Sequence, residues 1–239
     1  MSKHWVKDEL KKNFLAEKTD RFLHWLKHNR EMAAGIAAGT VVLVLLGTYL
    51  NSRSQERREF AWENLFKAEQ ISYQSPEEGL KMLTEISDKF DGTTAADFAS
   101  LYKGDTLYQL GKFEDALKAY QTAEQTRNPK ITPFAVNGQA VSFAALKKFD
   151  ESVTAAQRLI TSYPDSYLIP QTYLFMAQTQ ESAGKKDDAV KTYEKLSTHF
   201  AETPWAGQAK ARLAALQGIP QVPPAAPAPA NPTTKNAPK

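Results

Sequence analysis

The sequence predicts an all-α protein: one transmembrane helix followed by an α-solenoid of about four helix pairs and a capping helix. Three observations carry this expectation. An uncharged apolar run sits near the N-terminus, a turn-and-helix pattern recurs at 36 and then 37 residues, and no alternating polar–apolar stretch outlasts four residues. The chain divides accordingly into a basic arm (1–31), an apolar span (32–52), a repeat domain (57–217) and a Pro-rich tail (218–239).

The basic arm holds 8 Lys/Arg against 5 Asp/Glu over residues 1–31. Val6, Leu10 and Phe14 fall on one helical face, and Phe22, Leu23, Trp25 and Leu26 cluster after an expected cap at Thr19 or Asp20. An amphipathic helix lying on the bilayer and leading into the span fits this spacing, with Trp25 at the interface. A docking helix for a cytosolic partner would use the same face.

Between Glu31 and Arg53 no residue is charged. The 19 residues from Met32 to Leu50 would form a helix about 28 Å long, matching a hydrocarbon core of ~30 Å. The run has no polar face, unlike a helix from a soluble core. It is longer than the apolar region of a cleaved signal peptide, and no Ala-x-Ala site follows it, so an uncleaved signal anchor is expected. The cationic arm favours an N-terminus in the cytoplasm and a C-terminal domain outside. Gly35-x-x-x-Gly39 has the small-residue spacing that lets two membrane helices approach, and offers a homo-oligomer contact.

The repeats are read from their turns. Leu110-Gly111-Lys112-Phe113-Glu114-Asp115-Ala116-Leu117 aligns with Leu146-Lys147-Lys148-Phe149-Asp150-Glu151-Ser152-Val153 and with Ala183-Gly184-Lys185-Lys186-Asp187-Asp188-Ala189-Val190. Small residues at Gly104, Ala140 and Ala177 would meet Ala116, Ser152 and Ala189 where paired helices cross. Tyr120 and Tyr193 would fill the gap toward the next pair, with Ala156 at the same position in the middle copy. Gly111 and Gly184 can take the left-handed conformation that closes a helix. The acidic pairs after each turn belong to first turns of second helices, where the helix dipole favours them. This pattern resembles the tetratricopeptide (TPR) repeat. A degenerate pair over roughly 58–90 precedes the clear copies. A single Ala-rich helix after Pro204, with Gly218 in the turn position, would cap the stack.

The tail has seven prolines in its last twenty-one residues, a composition that favours an extended chain.

Composition argues against several activities. The body from 51 to 219 carries 20 Lys/Arg and 22 Asp/Glu, too balanced for an electrostatic nucleic-acid binder. There is no cysteine, and no phosphate-loop, GxGxxG or Gly-x-Ser-x-Gly motif. His24 and His28 stand four apart among cations, an unsuitable metal site. No catalytic residue, cofactor or metal is expected. What remains is a protein-binding groove on the concave face, where the register places Phe98, Leu101, Tyr102, Asp105, Phe134, Asn137, Val141, Gln171, Leu174 and Gln178. Apart from Lys103, helices 97–110, 133–146 and 170–183 carry no Lys or Arg, so such a groove suits extended or unfolded apolar segments better than chain-terminal carboxylates.

The basic arm, single span and outer repeat domain resemble the ancillary subunit family of the bacterial Sec translocon. Phe22-Leu23 before the span and Tyr49-Leu50-Asn51-Ser52 after it carry most of the likeness, which extends over roughly residues 15–216. Membership would imply an inner-membrane protein with a periplasmic TPR domain, handing emerging chains to envelope chaperones, without a cofactor. The repeats are also similar to those of Tol-Pal-associated cell-division coordinators, through Ser162-Tyr163-Pro164-Asp165-Ser166 and Thr203-Pro204-Trp205-Ala206. That likeness implies an envelope-organising protein. The chain departs from the related outer-membrane TPR lipoproteins in having no cysteine for a lipobox and a span expected to stay uncleaved.

Overall fold

A computed structural model describes residues 18–218. Among them lie ten helices and no strand: α1 (18–28), α2 (Arg30–Gln74), α3 (Pro76–Lys89), α4 (Thr94–Gln109), α5 (Phe113–Gln125), α6 (Thr132–Ala145), α7 (Phe149–Ser162), α8 (Ile169–Ser182), α9 (Lys186–His199) and α10 (Pro204–Leu216). Two compact units result, dividing between Glu59 and Phe60. The amphipathic face read over Val6, Leu10 and Phe14, and the tail from 219 onward, lie outside the described residues.

In the first unit Thr19 and Asp20 are already within a helix, so neither stands at the N-cap expected there. Phe22 and Trp25 stack at 6.3 Å between ring centroids, on a face that remains exposed. The apolar run lies within α2, which is long and apolar enough there to cross a membrane. Val41 through Leu46 are all exposed, so no protein surface covers them. A Cβ added at Gly35 or Gly39 would meet nothing within 4 Å.

The second unit is a TPR-like solenoid. The C-terminal part of α2 pairs with α3 through Ala61, Leu65 and Ala68 against Leu83 and Ile86, then α4 with α5, α6 with α7 and α8 with α9, and α10 closes the end. Each helix packs chiefly on its neighbours in sequence, as stacked hairpins must. Prolines stand in the first turns of α3, α6, α8 and α10, where a missing N–H is no loss. Thr93 caps α4, its hydroxyl accepting from the Ala96 N–H at 3.2 Å. Glu77/Glu78, Glu114/Asp115, Asp150/Glu151 and Asp187/Asp188 occupy the first turns of the second helices.

The three turns share one geometry. Gly111, Lys147 and Gly184 have φ of 73°, 58° and 76°. The N–H of the following lysine reaches back to the carbonyls of Leu107, Phe143 and Gln180, each at 2.9 Å, which is the Schellman closure. Lys147 therefore holds a conformation that its Cβ disfavours.

Paired helices cross at the small residues. Ser152 donates to the Ala140 carbonyl at 2.8 Å, and Ala177 and Ala189 are buried in one cluster. Gly79 comes closest of all, because a Cβ there would lie 2.5 Å from the Ser72 Cα. A single residue, Ser75, separates α2 from α3, which forces these backbones together.

Between pairs, ring size alternates. Tyr120 packs flat on α6, where a Cβ at Gly138 would sit 2.4–2.5 Å from its ring. At the next boundary Ala156 takes the tyrosine position, and Phe175 packs against its cluster. At the last, Tyr193 returns and shares a cluster with Ala209. Gly138, Phe175 and Ala209 each stand five residues after a helix-opening proline (Pro133, Pro170, Pro204), so they are equivalent. The volume missing from one side of a boundary is supplied by the other.

Candidate functional site

The first helices α4 and α6 and the side of Tyr120 enclose a cavity of about 450 Å³. Its walls are Phe98, Leu101, Tyr102, Asp105 and Tyr108 from α4, Tyr120 from α5, and Phe134, Asn137, Gly138 and Val141 from α6. Helical spacing explains the wall: Leu101 and Tyr102 lie three and four residues after Phe98, and Asp105 and Tyr108 continue the same face at three-residue steps. Gly138 lets the Tyr120 ring reach the cavity floor. A second hollow of about 250 Å³ adjoins it through the shared Tyr102, Asp105, Tyr108 and Tyr120, and adds Glu69, Ser72 and Tyr73.

Seven of the ten residues read from the register thus surround one cavity. Leu101 is nearly buried and forms its floor. The other three do not join them. Leu174 is buried against Tyr193 and Leu196, while Gln171 and Gln178 are exposed on α8. At the position of Gly138 one repeat later stands Phe175, which packs against the cluster around Ala140 and Ala156.

Sequence reasoning missed Tyr108, Tyr120 and Gly138 as wall residues. Tyr108 was legible, because it continues the α4 stripe one turn beyond Asp105. Tyr120 was read as packing alone, and it does both: its ring fills the core while its hydroxyl donates to Asp105 Oδ1 at 2.7 Å.

The rings pack tilted, and in one pair edge to face, between Phe134 and Tyr167. Phe98 lies 5.5 Å from Trp62 and 6.0 Å from Tyr102, and Phe134 meets Tyr167 at 5.7 Å. Tyr73 and Tyr167 are 74% and 73% exposed.

The electrostatics of the cavity are negative. Water touches the Asp105 carboxyl, but protein fills most of the volume around it, and that burial pushes its pKa up against the hydrogen bond from Tyr120. Burial also raises the Tyr102 phenol, and the charges of Glu69 and Asp105 push it further. No Lys or Arg lines either hollow.

The equivalent tyrosine at the far end is treated differently. Tyr193 Oη donates to Glu181 Oε1 at 2.5 Å, and Arg212 of α10 pairs with that carboxylate at 2.6 and 3.2 Å. Burial pushes Glu181 up, but the bonds from Arg212 and Tyr193 outweigh it and hold the carboxyl below its usual range. A third polar lock joins α5, α6 and α7. Buried Gln139 donates to Glu124 at 2.7 Å, and Arg158 bonds both Gln139 and Glu124.

Comparison with known proteins supports the repeat assignment. The family model described as tetratricopeptide repeat matches residues 101–167. No curated protein matches the sequence. Among solved structures, a tetratricopeptide repeat protein from Parabacteroides merdae aligns at 13% identity with a TM-score of 0.53, covering 66% of this chain and 60% of that one. This chain therefore spans less than two thirds of that relative. The MamA protein aligns at 14% identity and a TM-score of 0.53, over 69% of this chain and 85% of its own. A putative kinesin light chain with TPR-like repeats from Podosopora anserina gives 13% and 0.52, over 70% and 87%. At these identities the likeness establishes the fold, which typically serves as a non-catalytic scaffold for protein interactions.

Proposed function

We propose that this protein is a membrane-tethered TPR adaptor of the bacterial inner membrane that receives extended polypeptide segments in the cavity between α4 and α6. The arm would face the cytoplasm and the repeat domain the periplasm. There it would stand beside the Sec translocon and pass emerging chains to envelope chaperones. The observation that carries this reading is the cavity itself: aromatic walls, exposed tyrosines at the rim and no catalytic group among its residues. The exposed apolar stretch of α2 supports the tether. The resemblance of arm and span to the ancillary translocon subunits supports the location.

The test is photo-crosslinking in intact cells, with a crosslinking amino acid replacing Asn137 in the cavity and, as control, Lys195 on the outer face of α9. Adducts to translocon subunits, folding factors or nascent chains specific to position 137 are expected. Identical adduct patterns at both positions would remove the groove reading. Position-specific adducts lacking translocon components would remove the location but keep the adaptor.

A further inference from the structure

Two tyrosines at the same repeat position donate to carboxylates of the preceding helix, yet only one carboxylate is neutralised. Glu181 has Arg212 as counter-ion. Among the described residues Asp105 has no cationic partner; Tyr120 is its hydrogen-bond donor, and no Lys or Arg lines the cavity around it. Glu69 across the adjoining hollow adds a second negative charge rather than relieving the first. A carboxylate in an aromatic recess lowers its energy when a cation arrives, and the ring faces attract the same cation. Simple apolar capture would be better served by a neutral residue at this position, since desolvating an unpaired charge opposes binding.

From this arrangement we propose that Asp105, with Tyr102, Tyr108 and Tyr120 around it, forms a subsite for one positively charged side chain of an extended peptide whose apolar neighbours lie along Phe98 and Phe134. The inference rests on the groove reading above and sharpens it: the cavity selects segments in which a single arginine or lysine interrupts an apolar stretch. Negatively charged segments are rejected by the same carboxylates.

The test uses the full-length protein in lipid nanodiscs and two labelled synthetic peptides, Gly-Leu-Ala-Leu-Arg-Leu-Ala-Leu-Gly and its citrulline counterpart. Citrulline keeps the shape of arginine and removes its charge. Fluorescence anisotropy should give the arginine peptide at least about a tenfold lower Kd, the scale of one charge-assisted contact. Asp105→Asn, which retains a hydrogen-bond acceptor for Tyr120, should bring the two Kd values within about twofold. Equal affinities in the unaltered protein, or a preference that survives Asp105→Asn, would overturn the subsite. Asn137→Trp, checked for retained helicity and melting temperature, separates the two readings. If it blocks both peptides while they bind alike, the groove stands and the charged subsite falls. If it blocks neither, both fall.

Discussion

Gly138 is the residue on which the cavity depends, because the Tyr120 ring occupies the place of its missing side chain. Gly138→Ala should destabilise the domain by about 1–3 kcal/mol through overpacking, measured by urea unfolding. Lys147 presents the opposite case. Its left-handed backbone is one that glycine adopts freely, so Lys147→Gly should raise stability by up to about 1 kcal/mol. The carboxylates make predictions with opposite signs in pH. Glu181 is depressed in the folded state, so its pairing stabilises above the ordinary carboxyl range and is lost as pH falls through the folded value. Arg212→Gln should therefore destabilise at neutral pH, with the difference shrinking in acid. Asp105 is raised, so its ionisation works against folding at neutral pH. Asp105→Asn should be more stable than the unaltered protein near pH 7, and the gain should vanish below the ordinary carboxyl range. Unfolding curves across pH check both. At this scale the sequence told which residues turn and which cross: Gly111, Gly184, Ser152 and Ala189 behave as their spacing demands. It could not tell that Lys147 would accept the glycine conformation, since local propensity speaks against it and only the stacked neighbours impose it.

The helices themselves were the most legible level. Prolines and acidic first turns mark where the second helices and the later first helices begin, and the observed ends differ from the expected ones by few residues. Tertiary demand shows at the first pair, where α3 begins after one linking residue and Gly79 is pressed on Ser72. The groove was legible over α4 and α6 and not over α8, because a register fixes which face a residue occupies but not what the opposing helix has put there. Phe175 of the fourth pair stands where the third pair has Gly138. The capping helix is an element with a measurable duty. α10 covers Tyr193 and Leu196, both fully buried, and supplies Arg212 to Glu181. Ending the chain after Thr203 would uncover these side chains, each worth ~1.5–3 kcal/mol when buried. The melting temperature should drop by at least about 5 °C, given roughly 2–4 °C per kcal/mol for a domain of this size.

For the molecule as a whole, the proposed tether gives the plainest outcome. A charge at the middle of a span is unfavourable by roughly 2.5–3.5 kcal/mol on insertion scales. Leu43→Arg should therefore move a measurable share of the protein from the membrane pellet to the soluble fraction, while the melting of the repeat domain stays unchanged. The apolar run was the easiest feature to read, since nineteen successive uncharged residues stand out in an otherwise charged chain, and the structure makes it helical. Its neighbours in the chain were harder, because no break in composition marks where a helix should stop and α2 runs from Arg30 to Gln74 without one.

The alternation of bulky and small partners along the stack gives it a parity. Excising α6 and α7 would bring Tyr120 against Phe175, two rings where one fits. Excising α6 through α9 would bring it against Ala209, which offers the room that Tyr193 already uses. Removal of α6 through α9 should therefore leave a better-packed and higher-melting stack than removal of α6 and α7 alone, a difference that thermal unfolding of the two shortened proteins measures.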